Sequence, residues 1–343
     1  MKVIFFCQNP YALSINKPIY DVAVKRNYET LWYIPDNVKA FLDFEVTSTD
    51  SMKVLSDFDA DAIIAPGNEV PHFLQGVKVQ IFHGLAGEKK GHFHIRHYFD
   101  LYLTQGPYFT RGFEKLKKKH RDFDVIETGW SKLDTLYLAN KYKSRKSDLL
   151  KKYKAENIIL YAPTFSPSLT SAKNSFDDIF SIAEEKNNLL IIKFHDLMNK
   201  EVKNLYIEKA KEYENIIISE EKSIIPSLVD SDIMISDTSS AVYEFLILDK
   251  PVITINTRTK SPKWLNISNS RNLTNQIKET LSEDPFKKQR QEIIAEYHPY
   301  TDGKSSQRML DQIENWVKIN GVPAKRKLSF LRRRKINKLF GKL

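Results

Sequence analysis

The sequence predicts an α/β protein built from two doubly wound parallel sheets. Short apolar runs alternate with longer segments of helical periodicity along the chain, which is the pattern of parallel strands joined by crossover helices. At 343 residues, 41% of them hydrophobic, the chain is long enough to bury two cores of ordinary domain size. We expect two domains, residues 1–150 and 151–320, with a cleft between them, followed by a tail at residues 321–343.

The apolar runs fall into two sets, one for each predicted sheet. A polar, lysine-rich stretch at residues 140–157 separates the sets and is expected to connect the domains. The predicted strands are residues 3–7, 29–33, 62–65, 78–82, 101–104 and 124–127 in the first domain, and 158–161, 189–193, 216–218, 233–236 and 252–255 in the second. Because doubly wound sheets bind ligands beyond the carboxyl ends of their strands, the residues that follow each run are the candidates for function.

Charge is concentrated in the tail. The formal net charge is +10, yet nine basic residues and no acidic one lie from Lys325 to the C-terminus, so the preceding sequence is nearly neutral. This distribution argues against a nucleic-acid surface on the domains. A basic amphipathic helix in the tail is expected to lie on an anionic membrane surface, with a disordered solubilising end as the alternative. The apolar stripe consists of Leu328, Leu331, Ile336, Leu339, Phe340 and Leu343.

The cysteine content indicates the compartment. Cys7 is the only cysteine, which excludes an internal disulfide and fits a reducing cytoplasm. No run approaches the roughly 18 apolar residues that are needed to span a bilayer. We expect a cytoplasmic protein that is peripherally associated with the inner face of the cell membrane.

Histidines follow two of the predicted strands. His83 comes after the run at residues 78–82, and His195 comes after the run at residues 189–193. A neutral His83 could take a proton from an attacking hydroxyl, and His195 could donate a hydrogen bond to a leaving oxygen. Each could instead be a structural histidine that is hydrogen-bonded within the protein.

Two helix starts are candidates for binding an anion. One follows the run at residues 233–236, and the other begins a helix that runs to about residue 319. Free backbone N–H groups and the helix dipole stabilise an anion at such a position by about 0.3–2 kcal/mol. An ordinary N-cap is the alternative for each. The polar residues are Asp237, Thr238, Ser239 and Ser240 at the first start and Lys304, Ser305 and Ser306 at the second.

The recognised nucleotide-binding motifs are missing from the sequence. It contains neither G-x-x-x-x-G-K-[ST] nor G-x-G-x-x-G. The histidine-rich segment that follows His83 has no cysteine to complete a zinc site. We therefore expect no metal and no cofactor, and we expect helix starts and side chains to bind any phosphate.

An ordered set of segments carries a resemblance to a known family. The segments are His83-Gly84, Tyr161-Ala162-Pro163-Thr164, Lys193-Phe194-His195, Ser236-Asp237-Thr238-Ser239-Ser240 with Glu244, Asp249-Lys250-Pro251, and Asp302-Gly303-Lys304-Ser305-Ser306. In this order they resemble the CDP-glycerol glycerophosphotransferase family, whose members build teichoic acids and related capsules. The resemblance extends from His83 to about Ile319.

The resemblance implies a GT-B-like fold of two Rossmann-like domains, in which the second binds a CDP-alcohol and the first receives the acceptor. It implies that His83 activates the acceptor hydroxyl and that His195 contacts the pyrophosphate. The hydroxyl would attack the β-phosphorus, accept glycerol phosphate and release CMP. The implied donor-binding residues are Thr164, Asp237, Thr238, Ser239, Ser240, Glu244, Ser305 and Arg308.

Several alternatives stay open. Asp196 stands where members of the family often have proline, so CDP-ribitol or another activated alcohol phosphate is an alternative donor. A GT-B nucleotide-sugar glycosyltransferase or a UDP-sugar 2-epimerase-like enzyme is the closest enzymatic alternative, because those folds place similar residues at a comparable helix start. A noncatalytic, membrane-associated binding module is a third. The expected acceptor is a lipid-linked glycan or a polyol phosphate.

Overall fold

The computed structural model describes residues 1–87, 91–138 and 145–342. It divides the chain into two compact units. The first unit comprises Met1–Leu138 and Glu296–Leu343, and the second comprises Ala139–Ala295. Each unit contains one parallel sheet.

Thirteen strands form the two sheets in the part of the chain that the structure describes. In chain order they are β1 (Lys2–Phe6), β2 (Glu29–Tyr33), β3 (Ser48–Thr49), β4 (Ala62–Ala65), β5 (Val77–Gln80), β6 (Leu101–Thr104), β7 (Asp124–Glu127), β8 (Asn157–Tyr161), β9 (Asn188–Ile192), β10 (Ile216–Ile218), β11 (Ile233–Ser236), β12 (Val252–Ile255) and β13 (Leu265–Ile267). The first sheet has the order β3-β2-β1-β4-β5-β6-β7, and the second has the order β10-β9-β8-β11-β12-β13. The strand order therefore reverses between β1 and β4 in one sheet and between β8 and β11 in the other.

Helices connect and cover these strands. In chain order they are α1 (Tyr11–Lys25), α2 (Asp36–Lys39), α3 (Met52–Asp57), α4 (Pro107–His120), α5 (Ser131–Tyr137), α6 (Lys146–Tyr153), α7 (Phe176–Glu184), α8 (Lys200–Ala210), α9 (Ile225–Asp230), α10 (Ala241–Leu246), α11 (Leu273–Glu283), α12 (Lys287–Tyr297), α13 (Ser305–Asn320) and α14 (Phe330–Phe340). None of the described helices combines the length and hydropathy needed to cross a bilayer.

Apolar side chains cover both faces of the first sheet, since successive residues of a strand point to opposite sides. On one face, Phe5 stacks on Trp32 with ring centroids 4.9 Å apart and meets Tyr20 of α1 at 5.8 Å. On the other face, Phe6 belongs to a buried cluster that includes Phe113 of α4. Helices on both faces are thus required to bury this sheet.

The second sheet is also covered by helices that bury apolar side chains against it. Tyr161 of β8 stacks with Tyr206 of α8 at a centroid distance of 6.0 Å. Leu190 of β9 belongs to the same buried cluster as Phe180 of α7 and Ile277 of α11. Packing of α7, α8 and α11 therefore supports the strand ends at which the candidate residues of this unit lie.

The structure confirms the predicted fold class and the eleven predicted strands, whose ends agree to within two residues. The strands that the sequence did not predict, β3 and β13, have 2 and 3 residues and lie at sheet edges. Such short edge strands contain too few apolar residues to produce a period-2 pattern. The predicted connection at residues 140–157 contains α6, and its residues 140–144 lie outside the described residues.

The division of the chain differs from the predicted domains near the C-terminus. Residues 296–320, which were expected in the second domain, belong to the first unit, where α13 packs against α1 and α5. Arg26, which directly follows α1, forms ion pairs with Asp311 at 2.7 Å and Glu314 at 3.3 Å. Helical periodicity shows that a segment is amphipathic, but the sheet that it covers depends on contacts distant in sequence.

The described part of the predicted tail, residues 321–342, also belongs to the first unit. Ile336 of α14 is fully buried, and Phe340 packs against the same core. Arg326 forms an ion pair with Asp100, which lies just before β6. Part of the amphipathic stripe therefore contacts the protein itself, and its last residue, Leu343, lies outside the described residues.

Candidate functional site

His83 lies beyond the carboxyl end of β5 in the first unit, and its side chain is exposed. Its Nδ1 lies 3.0 Å from the backbone oxygen of Pro66, which follows the neighbouring strand β4. Its ring stacks on that of Tyr11, with centroids 4.9 Å apart. The preceding residue, Phe82, has a φ of 61°, which is strained for a residue with a side chain. These contacts fix the orientation of the imidazole.

The partner of Nδ1 determines the tautomer of neutral His83. A backbone oxygen can only accept a hydrogen bond, so Nδ1 must carry the proton. The lone pair of the neutral ring is then on Nε2. His83 in this form has the proton acceptor that a general base needs.

Two buried glutamines hold the backbone beside His83. Gln80, the last residue of β5, donates through Nε2 to the backbone oxygen of Pro66 at 3.2 Å and to that of the next residue at 2.7 Å. Gln105, which follows β6, donates to the backbone oxygen of Gly84 at 3.0 Å. Both glutamines are at most 4% exposed. The carbonyl that orients His83 is therefore held by a neutral amide shielded from water.

His195 lies beyond the carboxyl end of β9 in the second unit and is also exposed. Its Nδ1 accepts a hydrogen bond from the backbone N–H of Leu197 at 3.1 Å. Its ring lies against Phe165, with centroids 4.4 Å apart. An amide N–H can only donate, so Nδ1 carries the lone pair and the neutral ring carries its proton on Nε2. His195 thus has a donor at the ring position where His83 has an acceptor.

Asp237 follows β11 and holds the loop that follows the neighbouring strand β8. Its carboxylate, 1% exposed, accepts hydrogen bonds from the backbone N–H groups of Thr164 at 2.9 Å and Ser171 at 2.8 Å, and from the Ser171 hydroxyl at 3.0 Å. Burial raises the pKa of Asp237 to about 6. The carboxylate of Asp237 therefore holds the loop after β8 in place.

The next three residues form the turn into the short helix α10. Thr238 Oγ1 accepts a hydrogen bond from the backbone N–H of Arg258 at 3.0 Å. Ser239 Oγ accepts one from the backbone N–H two residues later at 3.3 Å. Ser240 occupies the N-cap position, where the described structure shows no capping hydrogen bond from its side chain. Glu244 on α10 is only 4% exposed, so it is part of the interior of the second unit.

The second predicted helix start lies in the first unit and already holds a carboxylate. Ser305 and Ser306 donate their backbone N–H groups to Asp134 at 2.9 and 2.7 Å. Arg308 forms an ion pair with Asp302 at 2.7 Å. Asp134 therefore meets the positive end of α13. Ser305 and Arg308 belong to the first unit. The other residues of the implied donor-binding set, Thr164, residues 237–240 and Glu244, belong to the second.

Three further residues at these sites, Tyr11, Gln80 and Arg258, belong to no motif in the sequence. Each lies at or beyond the carboxyl end of a strand, namely β1, β5 and β12. Their position at or after the end of a strand is the sequence signal that marks them, because ligands bind beyond the carboxyl ends of the strands in doubly wound sheets. No three His, Cys, Asp or Glu side chains are grouped as metal ligands among the residues that the structure describes.

Comparison with known proteins identifies the family. Residues 86–260, just over half of the chain, match the family described as CDP-Glycerol:Poly(glycerophosphate) glycerophosphotransferase. The chain belongs to this glycerophosphotransferase family. The matched segment includes Thr164, His195 and residues 237–240, whereas His83 lies just before it and α13 lies after it.

Curated relatives of this glycerophosphotransferase-family chain act in teichoic acid synthesis according to their names. The teichoic acid glycerol-phosphate primase of Bacillus subtilis is 28% identical over 233 residues, which are 63% of this chain and 58% of the primase. The teichoic acid ribitol-phosphate polymerase TarL of Staphylococcus aureus is 28% identical over 184 residues, which are 49% of this chain and 31% of TarL. The alignments thus span less than two thirds of the length of either relative.

Solved structures support the GT-B-like fold. The wall teichoic acid polymerase TagF is 17% identical with a TM-score of 0.65, and the match covers 93% of this chain and 89% of TagF. A putative UDP-N-acetylglucosamine 2-epimerase from Listeria monocytogenes is 15% identical with a TM-score of 0.68, and the match covers 96% of this chain and 99% of the epimerase. At these identities the likeness shows the fold alone.

Proposed function

We propose that this protein transfers glycerol phosphate from CDP-glycerol, or from a related CDP-alcohol, to a hydroxyl of a lipid-linked glycan or polyol-phosphate acceptor. Family membership supports the reaction class. The observation that supports the residue roles is that Nδ1 of His83 faces a backbone carbonyl whereas Nδ1 of His195 faces a backbone N–H group, which assigns opposite tautomers to the two neutral rings. His83 is the proton acceptor, and His195 is the hydrogen-bond donor.

The proposed reaction is a single displacement at phosphorus. The acceptor oxygen forms a bond to the β-phosphorus of the donor while the bond from that phosphorus to the bridging oxygen breaks, and CMP leaves. The proton of the acceptor hydroxyl passes to Nε2 of His83. The Nε2–H group of His195 stabilises charge on the diphosphate oxygens. Such a transfer depends mainly on positioning and charge stabilisation, so it needs no covalent nucleophile.

The direct test is CMP release by the purified protein with CDP-glycerol and a lipid-linked acceptor mimic. We expect CMP to form only when donor and acceptor are both present. In a separate assay, UDP-N-acetylglucosamine is tested as an alternative substrate, because a putative epimerase is among the structures with this fold. If the protein turns over UDP-N-acetylglucosamine but releases no CMP from CDP-glycerol, a nucleotide-sugar enzyme replaces this proposal. If it turns over neither compound, a noncatalytic binding module is favoured.

We also propose that the protein acts at the inner face of the cell membrane through α14. One side of this helix is buried against the first unit, but Phe330 and Leu331 are 66% and 76% exposed. Arg334 and Lys338 are exposed on the turns that follow. Apolar side chains flanked by basic ones suit an anionic bilayer surface. A lipid-linked acceptor would be presented at such a surface.

Point substitutions test this membrane contact better than a deletion, because α14 carries the buried Ile336. The double variant Phe330→Ser/Leu331→Ser should reduce pelleting with anionic phosphatidylglycerol vesicles and leave turnover on a soluble acceptor unchanged. Leu205→Ser is the matched control, since Leu205 is 62% exposed on α8 of the second unit. Equal pelleting of the double variant and the wild type would reject the membrane role.

A further inference from the structure

We propose that Arg258 binds the diphosphate of the CDP-alcohol donor. This role rests on the proposed function and adds a residue that neither the sequence motifs nor the family resemblance singles out. Four kinds of observation carry it: the position of Arg258 after a strand of the second sheet, its contacts with neighbouring loops, its remaining hydrogen-bond donors, and the charge balance of the second unit.

The position of Arg258 follows from the strand order of the second sheet. The order reverses between β8 and β11, and β12 lies next to β11. In doubly wound sheets the crevice at such a reversal, beyond the carboxyl ends of the strands, is where ligands bind. Arg258 follows the carboxyl end of β12, so it lies beside this crevice on the side opposite to β9.

Arg258 joins the loops that border the crevice. Its backbone N–H donates to Thr238 Oγ1 at 3.0 Å, in the turn after β11. Its guanidinium donates through Nη2 to the backbone oxygen of Ser168 at 3.2 Å, in the loop after β8. Asp237 holds the same two segments together through Thr164. The loops after three neighbouring strands are thus connected to one another, and Arg258 takes part in two of the connections.

The guanidinium of Arg258 retains donors for a ligand. Its side chain is exposed, and among the described residues it forms one hydrogen bond and no ion pair with a carboxylate. A guanidinium has five N–H donors and matches two phosphate oxygens in a bidentate geometry. By contrast, Lys193, which follows β9, is 8% exposed, and its ammonium donates to the backbone oxygen of Glu221.

The charge balance of the second unit favours this role. Asp237 places a carboxylate at the same crevice, and a diphosphate adds further negative charge. His195, as a neutral ring with its proton on Nε2, supplies a hydrogen bond but no compensating charge. Arg258 is a permanent cation whose backbone contacts the turn that contains Asp237.

The test measures binding of CDP and of cytidine to the full-length protein and to Arg258→Gln. We expect CDP affinity to fall about tenfold or more, because a charge-assisted contact is lost, while cytidine affinity stays unchanged. Arg258→Lys should recover part of the loss, since it keeps the charge but not the bidentate geometry. Arg271→Gln is the control, because Arg271 is an exposed arginine elsewhere in the second unit.

Two results would overturn the role of Arg258. Equal CDP affinity in Arg258→Gln and wild type, with a thermal unfolding midpoint unchanged, would show that the guanidinium does not contact the diphosphate. An equal loss for CDP and cytidine would show that the substitution acts through the loop. Failure of the wild type to bind CDP at all would instead overturn the proposed function, and the role of Arg258 with it.

Discussion

His83 and His195 each follow the carboxyl end of a buried strand, but the backbone gives them opposite partners. Nδ1 of His83 faces a carbonyl, whereas Nδ1 of His195 faces an amide N–H. The first ring therefore offers an acceptor at Nε2, and the second offers a donor. Similar sequence positions can thus leave a proton acceptor at Nε2 of one histidine and a proton donor at Nε2 of the other.

The surroundings of the two histidines differ in a second way. In the first unit, the neutral amides of Gln80 and Gln105 hold the backbone next to His83. In the second unit, the carboxylate of Asp237 holds the loop that carries Phe165, on which His195 packs. Of these three supporting groups, only the Asp237 carboxylate changes its charge with pH.

Replacing the two histidines should have the largest effects and should separate their roles. His83→Ala should lower turnover by about 10² to 10⁴, the usual contribution of general-base catalysis, without weakening CDP binding. His195→Ala should lower turnover by about tenfold or more and should also weaken CDP binding, because it removes a donor to the diphosphate. Steady-state CMP release and CDP titration measure both quantities.

The control for this pair is His120→Ala, since His120 is a histidine at the end of α4. It should behave as wild type in both measurements. Wild-type turnover in His83→Ala, with the protein folded, would contradict the assignment of the base.

The second-largest expected effect is on the pH dependence of the free energy of unfolding, to which the two units should contribute differently. The pKa of Asp237 rises from 3.8 to about 6 on folding, so folding favours the protonated form. Its stabilising contribution is therefore complete below pH 4 and is lost as pH rises through 6, which amounts to about 3 kcal/mol. Relative to Asp237→Asn, the free energy of unfolding of the wild type should fall by about that amount between pH 4 and pH 7.

Urea unfolding at a series of pH values measures this difference. Gln80→Leu provides the comparison in the first unit, because an uncharged amide produces no such dependence on pH. Parallel curves for wild type and Asp237→Asn would mean that the pKa of the buried carboxyl is not raised by folding.

Removing the amide beside His83 should have the smallest effect. Gln80→Leu loses two hydrogen bonds to backbone oxygens, so the Pro66 carbonyl is held less firmly, and turnover should fall by about threefold to tenfold. The KM for CDP-glycerol should not change if the donor binds the second unit. Asn215→Leu is the matched control, because Asn215 makes similar bonds to backbone oxygens at 2.9 and 2.8 Å in the second unit.

A fall in turnover alone would also follow from general destabilisation, so the pH profile is the deciding readout. We expect the acid limb of the profile to shift in Gln80→Leu and to stay in place in Asn215→Leu. An unchanged pH profile of turnover in both Gln80→Leu and Asn215→Leu would show that Gln80 has only a structural role.

Eleven of the thirteen strands in the described part of the chain, and the strand-end positions of both histidines, could be predicted from the sequence because they depend on local patterns. Apolar runs identify buried strands, and the residues after them lie at the edge where doubly wound sheets bind ligands. The role of Asp237 could not be predicted in this way, because its partners Thr164 and Ser171 are distant in sequence. The tautomer of His83 could not be predicted either, because the partner of its Nδ1, the backbone oxygen of Pro66, is also distant in sequence.

In the C-terminal region, the unit on which whole helices pack could likewise not be predicted from the sequence. The sequence identified α13 and the basic amphipathic character of α14, but not the unit on which they pack. The positive end of α13 is met by Asp134, and Ile336 of α14 is buried in the first core. Both contacts join residues that are far apart in the sequence, so periodicity could not reveal them.

The tautomers of the two histidines are measured most directly by ¹⁵N NMR of histidine-labelled protein, at a pH where both rings are neutral. His83→Gln and His195→Gln assign the two sets of signals. We predict a protonated Nδ1 for His83 and a protonated Nε2 for His195. The same tautomer in both rings, or the reverse assignment, would contradict the division of roles between base and donor.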